Sequence, residues 1–316
     1  MNEISWLWIP ITLWAALAQT LRNAAQRHLT RELGTIGATS VRFIYGLPFA
    51  VLWLLATRSF TGAAWPALSA PFWLWVTGAA LAQITGTALL VRVMAERNFA
   101  LGVAYSKTEA VQVALIAVLL LGDHLSFVAT LAVVIATLGV ILISLPSDVF
   151  SGSAVYSLRT LLQGRESQSG NNRSAWLGLG AGAGFALSAV GFRGATVSLT
   201  GTHYLVSAAV TLIVAQFLQS LLLSAWLRWR EPAALRRIAA AWRGSLLAGF
   251  MGAAASAGWF TAMAIEPIAH VRTLGLIELL FSLVVSRRLF QERLRNIEWI
   301  GMALLAIGLI VITPWR

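Results

Sequence analysis

The chain has 316 residues, of which 58% are hydrophobic and 11% are charged, and its formal net charge is +11. A soluble domain carries roughly a quarter charged residues, and a globular fold of this size cannot bury so much apolar surface. The composition therefore excludes a water-soluble domain. The absence of cysteine excludes a disulfide framework and a thiolate metal site.

Ten apolar runs follow one another along the chain, each close to the roughly 20 residues that an α-helix needs to cross a bilayer. They predict an all-α integral membrane protein with ten transmembrane helices, at 4–26, 36–57, 71–94, 99–121, 126–145, 175–199, 203–228, 244–265, 268–288 and 297–313. A polar segment rich in Ser, Gly and Asn, 148–174, separates a first set of five helices (1–147) from a second set (175–316). Its middle, Val155 to Leu162, has the pattern of a short interfacial helix.

Basic side chains are distributed unevenly between the two faces that these spans define. Two, Arg58 and Arg316, fall on the face of the even-numbered connections. Sixteen fall in or beside the odd-numbered connections: Arg27, Arg31, Arg92, Arg97, Arg159, Arg165, Arg173, Arg228, Arg230, Arg236, Arg237, Arg243, Arg287, Arg288, Arg293 and Arg295. Because Lys and Arg collect in short cytoplasmic connections, this bias predicts a cell (inner) membrane protein with both termini outside and segment 148–174 in the cytoplasm. The same placement explains the positive charge without a nucleic-acid partner.

The two sets of five helices also resemble each other in sequence. Residues 5–29 align with 175–199 at an offset of about 170. Further along, an offset of 169 pairs like residues: Glu109 with Glu278, Asp123 with Glu292, and Gly139 with Gly308. Because five is an odd number, the second set enters the bilayer from the opposite side. This arrangement predicts an inverted-topology repeat, which in secondary transporters places a binding site near the bilayer midplane.

The late part of each half has one order of motifs: an acid, an apolar helix, a second acid fourteen residues after the first, and a glycine-containing helix. It stands as EAVQVALIAVLLLGDHLSFVATLAVVIATLGVILI (109–143) and as ELLFSLVVSRRLFQERLRNIEWIGMALLAIGLIVI (278–312). Together with Leu13-Trp14 and Arg42-Phe43 in the first two helices, this pattern resembles the drug/metabolite transporter superfamily, specifically its ten-helix EamA-type members. The resemblance covers the whole chain and implies a secondary transporter. The family's proline after the first acid is replaced here by Ala110 and Leu279.

Two acidic residues fall near the middle of predicted spans, where an ionisable group is unfavourable unless it is paired or hydrated. Glu109 shares a helical face with Tyr105 and Gln112, at i−4 and i+3. Two interpretations stay open for Glu109: a site for proton coupling or for a substrate amine, and a structural ion pair with a basic residue from another helix. For Glu278, the apolar neighbours on its own helical face favour the structural pair.

The first predicted helix carries a polar stripe in an otherwise apolar sequence. Its members repeat at i, i+3, i+4 and i+7: Gln19, Arg22, Asn23 and Gln26. A polar stripe within a span must face protein or water rather than lipid. Snorkelling of Arg22 at the helix end would account for Gln26 but not for Gln19. We therefore predict that the stripe lines a cavity, and we expect Arg42 and Tyr45 of the second helix to face the same space.

Basic residues outnumber acids within the predicted spans. Five lie in or beside them: Arg22, Arg42, Lys107, Arg193 and Arg272. Lys107 precedes Glu109 by two residues, so it points elsewhere on its helix, toward a different segment. Arg193 and Arg272 lie near helix ends, where snorkelling accounts for them. Against two acids at mid-depth, a cavity lined by the remaining basic groups favours an anion or a zwitterion, such as an amino acid or another carboxylate-bearing solute.

These features favour a secondary transporter that moves a small carboxylate-bearing metabolite by alternating access, coupled to protons or working as an exchanger. The sequence has no phosphate-binding loop, which excludes ATP drive within the chain. The alternatives are a membrane-embedded transferase, which would need a His/Asp or metal cluster at one interface, and a passive channel or assembly subunit. We predict no enzymatic activity, cofactor or metal. The expected partners are the lipid bilayer, the substrate, protons, and a second copy of the chain in a homodimer.

Overall fold

The structure, a computed structural model, describes residues 6–96, 99–109, 112, 127–144, 165–265, 271 and 274–312. Within these residues the regular structure is helical and contains no strand: α1 Trp8–Ile44, α2 Leu47–Thr61, α3 Ala70–Glu96, α4 Phe99–Ser106, α5 Phe127–Ser144, α6 Arg165–Ser198, α7 Tyr204–Arg230, α8 Pro232–Ala240, α9 Trp242–Ile265, α10 Ile277–Arg288 and α11 Asn296–Ile312. Four of the described helices are long and apolar enough to cross a membrane, or up to five if a bent pair counts as one span. This composition is consistent with a membrane protein.

Helix boundaries follow the lengths of the apolar runs. The predicted spans 71–94, 126–145, 203–228, 244–265 and 297–313 agree to within about two residues with α3, α5, α7, α9 and α11. The fourth predicted span begins with α4, and the ninth ends with α10. Most of the remainder of those two spans lies outside the described residues, as do Asp123, Arg272 and the interfacial helix predicted at Val155 to Leu162.

α1 reverses direction at Gly34, where the backbone leaves the helical region with φ 67° and ψ 176°. A positive φ of this size favours glycine, because it has no Cβ. Gln26 Nε2 donates a hydrogen bond of 2.9 Å to the carbonyl of Ala38, whereas twelve residues of straight helix would span about 18 Å. The chain therefore folds back, and α1 consists of two antiparallel segments, 8–33 and 35–44.

The second predicted span, 36–57, is interrupted where α1 ends and α2 begins. Pro48 stands in the first turn of α2, and its missing N–H removes one bond from the helical ladder. The break packs against α9: a Cβ on Gly46 would lie 3.2 Å from the carbonyl oxygen of Gly249. The break between α1 and α2, at Tyr45 and Gly46, thus lies three to four residues after Arg42, which belongs to the last turn of α1.

Glycine seams join the most closely packed helices. α1 packs against α9, α3 against α6, and α5 against α11. A Cβ on Gly86 would lie 3.1 Å from the carbonyl oxygen of Ala181, and one on Gly139 would lie 2.6 Å from that of Gly301. Small residues let helix backbones approach this closely, which is how membrane helices gain packing energy in the absence of a hydrophobic driving force.

Side-chain contacts join five of the predicted connections into two groups. At one end Arg27 forms an ion pair with Glu292, and Glu292 Oε2 accepts a hydrogen bond of 2.8 Å from the backbone N–H of Phe99. These residues come from the first, third and ninth connections. At the other end Thr202 Oγ1 donates to the carbonyl of Ala64 at 2.6 Å, which joins the second and sixth connections. We call the end with Arg27 and Glu292 the Arg-rich end.

Two helices at the Arg-rich end differ from the sequence interpretation. α6 begins at Arg165, so the last ten residues of segment 148–174 are helical. At 34 residues, α6 is about 51 Å long and exceeds the roughly 30 Å of a hydrocarbon core. The short helix α8 lies at 87° to the start of α9, in a connection for which the sequence predicted no helix.

Candidate functional site

Glu278 lies at the centre of a polar cluster between α1, α4 and α10. It is 1% exposed and forms an ion pair with Lys107 through Oε2. Gln19 Nε2 donates to the same oxygen at 2.7 Å, and Asn23 Nδ2 donates to Oε1 at 3.3 Å. We call these four residues the Glu278 cluster. Both carboxylate oxygens are engaged, which a buried charge requires.

α9 contributes to the same cluster through Trp259. Its indole N–H donates a hydrogen bond of 3.0 Å to Gln19 Oε1, and this bond fixes the amide so that its NH₂ group faces Glu278. Gln19, Trp259 and Glu278 thus connect α1, α9 and α10 in one line of hydrogen bonds. Because the amide has one acceptor and two donors, its orientation follows from these two neighbours.

Two arginines lie beside the Glu278 cluster, and each is 3% exposed. Arg22 donates from Nε and Nη2 to Asn23 Oδ1, at 3.2 and 2.7 Å. Arg42 donates from Nη1 to Thr87 Oγ1 on α3 at 3.0 Å, and its buried Nε has no partner among the described residues. In the described part of the chain neither guanidinium forms an ion pair.

The stems of the two arginines meet at Gly252 of α9. A Cβ on Gly252 would lie 3.0 Å from Arg42 Cγ and 3.3 Å from Arg22 Cδ. The two like charges repel each other, and burial removes the water that would screen them. Guanidinium groups bind carboxylates through two parallel N–H donors. Asn23 and Thr87 are neutral partners, so the two guanidinium groups can still bind an anionic group.

The structure separates the other predicted site residues from this centre. Gln112 Nε2 donates to the carbonyl of Leu179 on α6 at 2.9 Å, and the Tyr105 ring packs against Gly178 of the same helix. Gln26 bonds the carbonyl of Ala38. Tyr45 donates its hydroxyl to the carbonyl of Ile238 on α8, at 3.2 Å.

The backbone at Glu109 packs against α6: its nitrogen would lie 3.2 Å from a Cβ on Gly182. The Glu109 side chain is half-buried. Lys107, two residues earlier, extends into the Glu278 cluster and pairs with Glu278. The two-residue spacing predicts different directions for the side chains of Lys107 and Glu109.

Sequence reasoning missed three contributors to the site: Thr87, Gly252 and Trp259. Thr87 shares a helical face with Gln83, a spacing that is typical of hydrogen bonds between helices. Both side chains accept such a bond: Gln83 from Gln219 Nε2 at 2.8 Å, and Thr87 from Arg42 Nη1 at 3.0 Å. The spacing does not identify Arg42 as the partner of Thr87. Since α9 has no charged residue between Gly244 and Ile265, nothing in its own sequence signals contact with two arginines.

Comparisons with known proteins identify a solved structure with a similar fold, but they identify no family for this chain. Neither a family model nor a curated protein matches the sequence. A solved structure described only as "Crystal structure of protein" is similar to this chain with a TM-score of 0.58 and 14% identity, over 96% of each chain. At this identity the likeness shows the fold alone, and it extends over nearly the whole of both molecules.

Proposed function

We infer that the protein is an integral membrane transporter that carries a small carboxylate-bearing solute, such as an amino acid or another organic acid, across the bilayer by alternating access. The observation that carries this proposal is the pair Arg22 and Arg42, both 3% exposed and without an ion pair in the residues that the structure describes. Glu278 attracts Arg22 electrostatically, but it is itself paired with Lys107, so the two guanidinium charges exceed the one carboxylate beside them. Buried charge that is not balanced is strongly unfavourable. A substrate carboxylate would supply the missing anion.

The charge balance of the site favours an anion over a cation. The two arginines and Lys107 face one carboxylate, Glu278, which is already engaged by Lys107, Gln19 and Asn23. A cationic substrate would meet an excess of positive charge, whereas a carboxylate would relieve it. The ammonium group of an amino acid would find Glu278 next to the arginines, in competition with Lys107.

The packing of the helices supports an architecture of two inverted five-helix repeats. When about 169 is added to the residue numbers of the first half, α3 aligns with α9, the first segment of α1 aligns with α6, and α5 aligns with α11. Exchange of the two halves therefore converts the closely packed pair α1–α9 into the closely packed pair α6–α3. The same exchange converts the pair α5–α11 into itself. A pseudo-two-fold axis in the membrane plane produces such an exchange of pairs, and repeats of this kind rock about a central site in secondary transporters.

Ligand-induced stabilisation and flux together test the proposal. The purified chain is melted against a panel of amino acids and organic acids, because a ligand that binds the folded state raises Tm. We expect at least one carboxylate to raise Tm, and its uptake into sealed vesicles to saturate and to exchange with internal substrate. Stabilisation by amines alone would contradict the anion site, and uptake that neither saturates nor exchanges would indicate a channel.

The proposed orientation is tested with cysteines at the two ends of the molecule, since the chain has no native cysteine. Ala67 is exposed between α2 and α3, and Ser169 lies in α6 at the Arg-rich end. Because Lys and Arg mark the cytoplasmic side, Ala67→Cys should react with an impermeant maleimide in intact cells, and Ser169→Cys should react only after permeabilisation. The reverse pattern would invert the topology.

Glu109 is the group that we expect to couple transport to protons. Glu109→Gln keeps the size and hydrogen-bonding capacity of the side chain but removes its titration. The variant should fold and exchange substrate, and it should lose at least about tenfold of the accumulation that a pH gradient drives. Glu96→Gln, which removes an exposed carboxylate paired with Arg92, is the matched control. A stable Glu109→Gln protein with unchanged pH-driven uptake would exclude the coupling role.

A further inference from the structure

α8 is an amphipathic helix docked at the Arg-rich end. Its apolar side is buried through Ala234 and Ile238, and Tyr45 donates its hydroxyl to the carbonyl of Ile238. Arg236 and Arg237 project from the other side and are exposed. A short amphipathic helix at 87° to the following long helix has the geometry of a helix that lies in the membrane interface rather than across it.

Exposed basic and aromatic side chains surround α8. Between residues 228 and 243 the chain has five arginines and a single acid, Glu231. Trp229 and Trp242, at the two ends of α8, are 73% and 51% exposed. Arg230 lies over the Trp229 ring at 4.3 Å, and Arg243 over the Trp242 ring at 5.5 Å. We call residues 228–243 the α8 surface. Exposed Trp at this position fits the headgroup level of a bilayer.

A cavity of about 400 Å³ opens beside the α8 surface. The end of the first α1 segment forms one wall, with His28 and Glu32, and the junction of α8 and α9 forms the other, with Trp242 and Arg243. Below this junction, large apolar side chains of α9 are exposed: Leu246, Leu247 and Phe250. A cavity with His28, Glu32 and Arg243 in its walls, above an exposed apolar strip, matches the arrangement of a phospholipid, with a headgroup and acyl chains.

We propose that the α8 surface binds an anionic phospholipid, with its phosphate against Arg243 in the cavity and its acyl chains along α9. The site rests on the membrane location in the proposed function, but not on the substrate. The five arginines of the α8 surface outnumber the two acids at the site, Glu231 and the Glu32 of the cavity wall. This excess favours a net negative headgroup, since a choline or ethanolamine headgroup adds a cation that the arginines repel. The Arg-rich end is also the end whose charge predicts the cytoplasmic leaflet, where anionic lipids collect.

Lipid retention tests the site. The purified protein is mixed with phosphatidylglycerol or phosphatidylcholine in detergent, and bound lipid is counted by native mass spectrometry. We expect phosphatidylglycerol to bind at least about tenfold more tightly, and the variant Arg236→Gln/Arg237→Gln/Arg243→Gln to lose this preference. The control is Arg58→Gln, at the other end of the molecule, where Arg58 likewise lies over a tryptophan ring, that of Trp65, at 4.2 Å.

Each outcome decides for or against the lipid site. Equal binding of the two lipids, or an undiminished preference in the triple variant, would overturn it. Displacement of phosphatidylglycerol by millimolar inorganic phosphate would also overturn it, because the acyl chains would then contribute nothing. Thermal melts of the triple variant in detergent establish that it is folded. Uptake of the stabilising carboxylate into phosphatidylcholine vesicles is measured separately, so a failed lipid site and a failed transport function give different results.

Discussion

Glu278→Gln is expected to lower the free energy of unfolding by roughly 3–5 kcal/mol, because it leaves Lys107 buried without its carboxylate. In the native cluster the ion pair is shielded from solvent, with Glu278 only 1% exposed. The glutamine would keep the hydrogen bond to an amide but would not offset the charge of the ammonium. Thermal melts and denaturant titration in one detergent measure the loss.

A double-mutant cycle separates the ion pair from other effects of the substitution. Lys107→Met alone should destabilise by a similar amount, since it leaves the carboxylate buried without its ion-pair partner, hydrogen-bonded to Gln19 and Asn23. The double variant should recover much of this loss, because neither member of the pair is then left buried without the other. Glu96→Gln, in an exposed pair, should change stability by at most about 0.5 kcal/mol. Additive losses in the double variant would contradict a coupled buried pair.

Much of the helical framework could be predicted from the sequence, because the length of an apolar run decides where a membrane helix begins and ends. α3, α7 and α9 follow their apolar runs to within about two residues. α8 was not predicted, because nine residues with two adjacent arginines, Arg236 and Arg237, are too short and too polar to be read as a span. Its apolar side is buried through Ala234 and Ile238. The helical start of α6 was missed because residues 165–174 are polar, and the sequence reasoning placed long helices only over apolar runs.

The sequence predicted those residues of the candidate site that form a pattern within a single helix. The stripe of α1 identified Gln19, Arg22 and Asn23, because polar residues in an apolar helix need protein partners. Glu278 shows the limit: its own helical face is apolar, and its partners come from positions more than 170 residues away in the chain, including Lys107. Such pairings depend on tertiary packing, which spacing along one helix does not report.

Arg42→Met is expected to reduce transport of the carboxylate substrate at least about 100-fold while leaving the protein as stable as before, or more stable. Methionine keeps most of the apolar stem that packs against Gly252, and it removes a buried cation that has no counter-charge in the described structure. Removing such a charge relieves its desolvation penalty. A residue kept for binding at some expense of stability behaves in this way.

Arg22→Met should have the same two effects, and Arg22→Lys should not restore transport, because an ammonium group lacks the two parallel donors that bind a carboxylate. The exposed Arg193 of α6 provides the matched control, and Arg193→Met should keep both transport and ligand-induced stabilisation. Initial uptake rates and the shift of Tm with substrate measure the two properties on one preparation.

Uptake, the Tm shift by the ligand and the Tm of the free protein together distinguish a substrate-binding role of Arg22 and Arg42 from a purely structural one. If Arg22 and Arg42 bind substrate, each Met variant loses uptake and the Tm shift by the ligand while its own Tm is preserved. If they serve only to hydrogen-bond Asn23 and Thr87, the variants lose stability, because these partners remain buried with an unmet hydrogen bond. Full uptake with full ligand stabilisation in both Met variants would rule out the arginine pair as the anion site. It would leave the Glu278 cluster, with Lys107, as the remaining place for a carboxylate to bind.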